Sequence, residues 1–359
     1  MSALSSLEIH QFRNISSLSL EPAPAINLIY GANGSGKTSL LESIHVLATG
    51  KSFRSHLVDP LIQDGSTEAT VFARAADGST FGLRKPRNKK HDLKLNGANQ
   101  SNWDDVIRAL PVQVLDASSF QLLEGGPKAR RRFLDWGVFH VEPQFVSAWR
   151  RSRKALANRN RLLKFQRLDE DQLAPWDQEL SSAAETINAA RTAYIDKLLP
   201  NFEEIYQELA GDSEGLTINY EKGWDEEIPL MEALIAHRAQ DHKYGSSQIG
   251  PHRADIEIKV GKRKAVEILS RGQQKILICA LKIAQGKLLS ESMGRQCYYL
   301  VDDLPAELDQ QNRERVLTKL TGLGGQLFVT AVEKTALNFD AFDAVESATF
   351  HVERGTIRD

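Results

Sequence analysis

Apolar positions change period several times along the chain, and each change predicts an element. Leu4 to Ile9 and Ser17 to Leu20 alternate as half-buried strands do. Ala25 to Tyr30 (AINLIY) is a continuous apolar run, as in a strand covered on both faces. GANGSGKT follows, and then Leu40, Leu41, Ile44, Leu47 and Ala48 mark one face of a helix. The order is strand, glycine loop, helix. From Ala69 to Leu95 short alternating strands surround turn pairs at Asp77-Gly78 and Asn96-Gly97, which predicts antiparallel sheet.

From about Pro127 the texture becomes long, basic and helical in period, through GGPKARRRFLDWG and on to RLLKFQR. Pro175 is expected to break this helix, with a second one from about Trp176 to Leu209. Strand patterns return at Leu216 to Tyr220 and Ala254 to Val260. After a further helix, CYYLVDD and QLFVTAV read as buried strands. The fold class is α/β: a head (1–126 and 251–359) whose middle (127–250) is a short helical hairpin insertion.

Composition narrows the class. The chain has 359 residues, 41% hydrophobic and 26% charged, enough for a sizeable core. Its net charge of -2 gives no global positive field, so contact with nucleic acid must come from local patches. Cys279 and Cys297 sit inside apolar runs and read as buried thiols of a reducing compartment. The first residues carry no basic start with an apolar block, and no apolar run approaches the ~20 residues of a membrane helix. The expectation is a cytoplasmic protein without membrane contact.

The chemistry begins at Gly31-Ala32-Asn33-Gly34-Ser35-Gly36-Lys37-Thr38, followed by Ser39, which fits the phosphate-loop pattern G-x-x-x-x-G-K-[ST]. Glycines let consecutive N–H groups turn inward around phosphate oxygens, and the helix N-terminus adds positive partial charge. Lys37 is expected to reach the β- and γ-phosphates, and Thr38 to bind Mg2+. The strand ending Val301-Asp302-Asp303 brings carboxylates beside this loop: Asp302 for Mg2+, Asp303 to polarise an attacking water. Asp309 reads either as a carboxylate at an interface or as a helix N-cap.

A third stretch, ILSRGQQKIL, starts a helix with a glycine in its first turn, at a cost of roughly 1 kcal/mol against alanine. Ser270 and Gly272 there present hydroxyl and N–H groups to an anion, which would justify that cost. No N-K-x-D base reader for guanine is present.

The order GANGSGKT, LSRGQ, YYLVDDLPAELD resembles the Walker A, signature, Walker B and D-loop of ABC-type ATPases. With LEIHQFRNISSLSLEP, KSFRS, GGPKARRRFLDW and IGPHRADI, the chain is similar over essentially its whole length to the RecF family, SMC-like ATPases of DNA gap repair. The resemblance implies an ABC-ATPase head with an antiparallel β subdomain and a helical lobe. It implies ATP and Mg2+, weak DNA-stimulated hydrolysis, and a homodimer formed on ATP. The expected partners are double-stranded and gapped DNA, RecR and RecO. Ser270, Arg271, Gly272 and Gln273 then complete the nucleotide site of a second protomer. Arg13, in FRN, and Arg54, in SFR, become candidate nucleotide contacts. Gln113 is either the Mg2+-contacting glutamine or an ordinary strand residue. Two departures stand out: Asp303 replaces the glutamate usual in ABC ATPases, and FVTAVEK lacks their switch histidine, where Thr330 is the available polar group.

Candidate DNA contacts are the run Arg130, Arg131, Arg132 and the helix bearing Arg150, Arg151, Arg153, Lys154, Arg159 and Arg161; smaller basic groups lie at Lys85 to Lys90 and Lys262 to Lys264. Two other readings compete. A transporter ATPase subunit needs a short coupling surface, which the basic hairpin does not offer. A long-armed SMC protein needs more than the ~60 Å arms that about 80 helical residues allow at 1.5 Å each.

Overall fold

The computed structural model describes residues 3–55, 59–211, 215–303, 308–336 and 345–358. The chain forms two compact units, residues 1–119 with 275–359, and residues 120–274.

The first unit holds two sheets. β1 (Leu4–Phe12), β2 (Ile15–Leu20), β4 (Glu68–Ala75), β5 (Thr80–Pro86), β6 (Asp92–Leu95) and β7 (Ala98–Asn99) form an antiparallel sheet in the order β2-β1-β4-β5-β6-β7. The Asn-Gly turn works as its sequence demands, with both Asn96 and Gly97 at positive φ. The second sheet runs β15-β14-β3-β13-β12-β8, built from β3 (Ile26–Tyr30), β8 (Val112–Leu115), β12 (Tyr298–Val301), β13 (Gln326–Ala331), β14 (Ser347–Glu353) and β15 (Thr356–Arg358). All its pairs are parallel except β14 with β15. β12 and β13 are buried at every residue, which explains why their sequences are continuous rather than alternating.

Helix α1 (Lys37–Thr49) packs against strands of both sheets. Leu40, Leu41, Ile44 and Leu47 join Leu7, Ile9 and Val71 of the antiparallel sheet and Leu300 and Phe328 of the parallel one in a single core cluster. Each such side chain contributes about 1.5–3 kcal/mol by burial. The core thereby fixes the helix whose first turn carries Lys37 and Thr38. Short α2 (Asp104–Ala109) leads into β8.

The second unit contains α3 (Gln121–Glu124), α4 (Pro127–Val141), α5 (Phe145–Leu162), α6 (Glu170–Ala210), α7 (Leu230–Ala236), α8 (Arg238–Tyr244) and α9 (Ala265–Ile268), with the small sheet β9 (Leu216–Glu221), β10 (Asp255–Val260), β11 (Arg263–Lys264). It starts seven residues before the sequence division at 127 and runs past the one at 250, because β10 pairs along its whole length with β9. Ser270 to Gln273 therefore belong to this unit. Helix α10 (Arg271–Met293) begins here and ends in the first unit; α11 (Gln310–Gly322) lies wholly in the first.

Pro175 does not end a helix, contrary to the sequence expectation. α6 begins at Glu170, where Asp169 caps it by accepting from Gln172 N, and continues through both Pro175 and Pro200. Burial of Leu173, Leu180, Ala184, Ile187, Leu198 and further residues along one flank outweighs the missing backbone bonds. At the heart of the unit, fully buried Arg159 donates to Asp177 and to Asp241, at 2.6 Å each, and to Ser247 Oγ at 2.7 Å.

Candidate nucleotide site

The phosphate loop leaves β3 and enters α1 as its spacing predicts. Gly31, Gly34 and Gly36 have φ of +151°, +79° and +118°, conformations that side-chain-bearing residues rarely adopt. A Cβ on Gly31 would also overlap the Val352 carbonyl. Lys37 Nζ donates to the carbonyls of Gly31 and Ala32 at 2.7 and 3.0 Å. Burial lowers the Lys37 pKa, against the raising influence of Asp303 and Asp302.

The acidic end of β12 meets this loop. Thr38 Oγ1 donates to Asp302 Oδ1 at 3.0 Å, and Thr330 Oγ1 donates to the same oxygen at 2.8 Å. Thr330 also accepts from Asp303 N at 2.8 Å, so one hydroxyl at the end of β13 ties both aspartates. Asp303 sits at φ 54°, a strained setting for a residue with a side chain. Burial raises the Asp302 pKa, partly offset by the two threonine hydroxyls.

These groups surround a cleft of about 580 Å³ lined by Asn33, Gly34, Gly36, Lys37, Thr38, Ser39, Asp302, Asp303 and Thr330, with Arg13, Asn14 and Arg54 among its other walls. That is within the usual range for small-molecule sites. Gly31, Ala32 and Ser35 shape the loop without lining the cleft. Arg13 makes a bidentate pair with Glu42 at 2.7 and 2.9 Å; Glu42 also accepts from Ser52 Oγ and lies 3.7 Å from Arg54. Glu42 is completely buried on α1, so the two arginines are anchored from below.

Asn14 and Glu42 escaped the sequence reading. Asn14 stands beside the candidate Arg13 in FRN, but only the folded loop shows what its side chain holds. Asn14 Nδ2 donates to Gly34 O at 3.0 Å, and Oδ1 accepts from Ser39 Oγ at 2.8 Å. Glu42 lies off the apolar face that the pattern marked, and α1 is buried on that side too.

Other candidates need correction. Gln113 is the strand residue of its two readings: it is buried in β8, donates to Gln285 Oε1 at 2.9 Å, and does not line the cleft. Among the basic candidates, Arg130 pairs with Asp255 at 2.7 Å, and Arg131 donates to Ala254 O at 2.7 Å. Arg151 binds Glu179 at 2.6 Å, and Arg159 is the buried ion-pair centre described above. Lys85 is buried and Arg87 donates to three backbone carbonyls. Buried and exposed arginines have the same one-letter pattern. Arg132, Arg150 and Arg153 are exposed, with Arg153 4.8 Å over the Trp149 ring. Asp309 is an N-cap, accepting from Asn312 N at 2.9 Å, while residues 304–307 of the D-loop lie outside the described residues.

Ser270 to Gln273 are exposed and form a reciprocal cap: Gln273 N donates to Ser270 Oγ at 3.3 Å, and Ser270 N donates to Gln273 Oε1 at 2.8 Å. Arg271 pairs with Glu124. A Cβ built on Gly272 meets nothing within 4 Å, so the chain's own packing does not require glycine there.

The comparisons with known proteins agree with this geometry. Residues 3–356 match the model of the RecF/RecN/SMC N terminal domain. A DNA replication and repair protein RecF of Pseudomonas aeruginosa is 44% identical over 359 residues, covering 99% of this chain and 97% of that protein. Its counterpart in Cellvibrio japonicus is 45% identical, with 99% of each chain covered. Among solved structures, the recombination mediator protein RecF-ATP in the RecFOR pathway superposes with a TM-score of 0.88 at 26% identity, over 99% of this chain and 97% of that one. An Smc head domain of Pyrococcus furiosus, at 18% identity and a TM-score of 0.58, shares the fold. With an ABC-type head, a Walker A loop against paired aspartates, and this extent of identity, the chain belongs to the RecF family of SMC-like ATPases.

Proposed function

We propose that this chain is an ATP-dependent DNA-binding protein of recombinational repair, which dimerises on ATP and helps load recombinase at single-strand gaps. The observation that carries the reading is the convergence of Lys37, Thr38, Asp302 and Asp303 on one cleft. ATP binding is supported further by the similarity to RecF-ATP structures.

Thr38 and Asp302 fit Mg2+: a hydroxyl and a half-buried carboxylate, 3.0 Å apart, are hard oxygen donors, and the carboxylate's charge has no cationic side chain hydrogen-bonded to it among the described contacts. When bound there, Mg2+ would neutralise charge building on the phosphates. The chain's own residues do the rest. Loop amides and Lys37 hold and orient the phosphates. Asp303, fixed through its N–H to Thr330, is the group to accept hydrogen bonds from the attacking water. Its side chain is one methylene shorter than the glutamate it replaces, and slow turnover follows.

Completion of the site from a second protomer rests on Ser270 to Gln273. They are exposed, pre-capped, and carry a glycine that nothing in the chain's own packing demands. With the Ser270 oxygen accepting from Gln273 N, its hydroxyl hydrogen remains available for a γ-phosphate. The DNA contacts we assign are Arg132, Arg150 and Arg153, and RecR and RecO are the partners the family suggests. The transporter reading has no supporting observation, and no helix among the described residues is long and apolar enough to cross a membrane.

Titration with a fluorescent ATP analogue tests the core of this reading. Lys37→Met should abolish binding; wild-type affinity in that variant would overturn the assignment.

A further inference from the structure

We infer that the C-terminal hairpin β14–β15, acting with Asn14, is a brace that sets the phosphate loop's amides for nucleotide, with Gly355 as its positioning residue. The inference rests on the cleft being the ATP site. Three contacts reach the loop from this hairpin. Gly355 N donates to Ser35 O at 2.7 Å. The Val352 carbonyl sits where any Cβ on Gly31 would be, and Gly355 Cα lies 3.3 Å from the position of a Cβ on Gly36.

The first contact has a definite consequence. In a trans peptide the carbonyl and the following N–H point in opposite directions. Holding Ser35 C=O toward the hairpin therefore turns the Gly36 N–H away from it, and Gly36 is one of the residues that line the cleft. Asn14 holds the neighbouring peptide through Gly34 O, whose Ser35 N–H donates to Ala32 O at 3.1 Å within the loop, and joins it to the first turn of α1 through Ser39. The hairpin and Asn14 are themselves in register: a Cβ on Gly355 would overlap the Asn14 carbonyl and come within 3.1 Å of Ile15 Cα. Gly355 adopts φ +76° at the turn, so both its conformation and its space exclude a side chain. Loops of this kind bind phosphate only when several N–H groups converge, and an amide that must reorient loses affinity.

Gly355→Ala should drive the turn off Asn14 and release Ser35. Gly97→Ala is the control: Gly97 also has φ +76°, yet nothing lies within 4 Å of its built Cβ, so it suffers the same backbone strain without striking a neighbour. We expect Gly355→Ala to raise the Kd for an ATP analogue about tenfold, as for loss of one charge-assisted hydrogen bond, and Gly97→Ala to leave it within about twofold. Hydrogen exchange at the residue 355 amide, which donates to Ser35 O, should speed up in nucleotide-free Gly355→Ala, while the residue 355 amide of Gly97→Ala keeps its wild-type rate. Wild-type affinity in Gly355→Ala, or equal losses in both variants, would overturn the brace. If Gly355→Ala shows no cooperative melt, Asn14→Ala takes its place with the same expected and overturning results. Lys37→Met is measured alongside. If it too keeps wild-type affinity, the nucleotide reading falls; if it loses ATP while the brace variants do not, the brace alone falls.

Discussion

Asp302 is half-buried with two hydroxyls and no cationic partner among its described hydrogen bonds, so its charge costs folding energy. The folded pKa lies above the unfolded one. Its favourable contribution is thus complete below the ordinary aspartate range of about 4 and fades as pH rises through the raised value. Asp302→Asn keeps the Oδ1 acceptor for both threonines and removes the charge. Without nucleotide or Mg2+, this variant should melt higher than wild type at pH 7.5, by about 2–4 °C for each kcal/mol relieved. Calorimetry at falling pH should see the gap close toward pH 4, and Mg2+-dependent hydrolysis should disappear. A variant less stable than wild type at neutral pH would contradict the account. His45 behaves in the opposite sense. Burial lowers its pKa to about 4 from 6.5, so its neutral form suits the fold, and stability falls as pH drops between those values.

Among elements, α5 and α6 show how little a basic sequence says about a basic surface. Arg159 and Arg151 lie eight residues apart on α5, yet one is fully buried between carboxylates and the other is exposed against Glu179. Arg159→Met would strand Asp177 and Asp241, both fully buried, although Arg238 still reaches Asp177 at 3.1 Å. The expected loss is about 3–5 kcal/mol in urea unfolding followed by helical signal, with Arg159→Lys recovering only part of it. On the exposed side, replacing Arg132, Arg150 and Arg153 with glutamate should weaken DNA binding and flatten the slope of log K against log salt by about 2–3, close to one for each phosphate left without its arginine. An unchanged slope would remove these residues from the DNA surface. The sequence marked the helices by period and the basic stretch by composition. It could not sort the arginines, because their carboxylate partners come from 18 to 125 residues away.

For the whole molecule, the proposed machine is two protomers with ATP between them. Ser270→Arg should leave ATP affinity unchanged and prevent ATP-dependent pairing in sedimentation velocity; a variant that still dimerises would refute the trans role of the tetrapeptide. Gapped DNA added to the wild-type protein should shift the equilibrium further toward the dimer.

The sequence by itself determined what depends on local backbone chemistry. Glycine spacing specified a loop of positive φ between a buried strand and a helix, and the apolar run before Asp302 specified a strand with acid at its end. Asn96-Gly97 specified a hairpin. Only the tertiary structure decided what depends on neighbours remote in the chain. It brought Thr38 and Asp302 together across 264 positions, put Thr330 between two aspartates, and seated the last hairpin on the first loop. It returned Gln113 to the core, carried α6 through Pro175, and tied Arg130, Arg131, Arg151 and Arg159 to acceptors. The reason is range. A turn or helix period is fixed within a few residues, whereas hydrogen-bond partnership and burial are set by which surfaces the whole chain packs together.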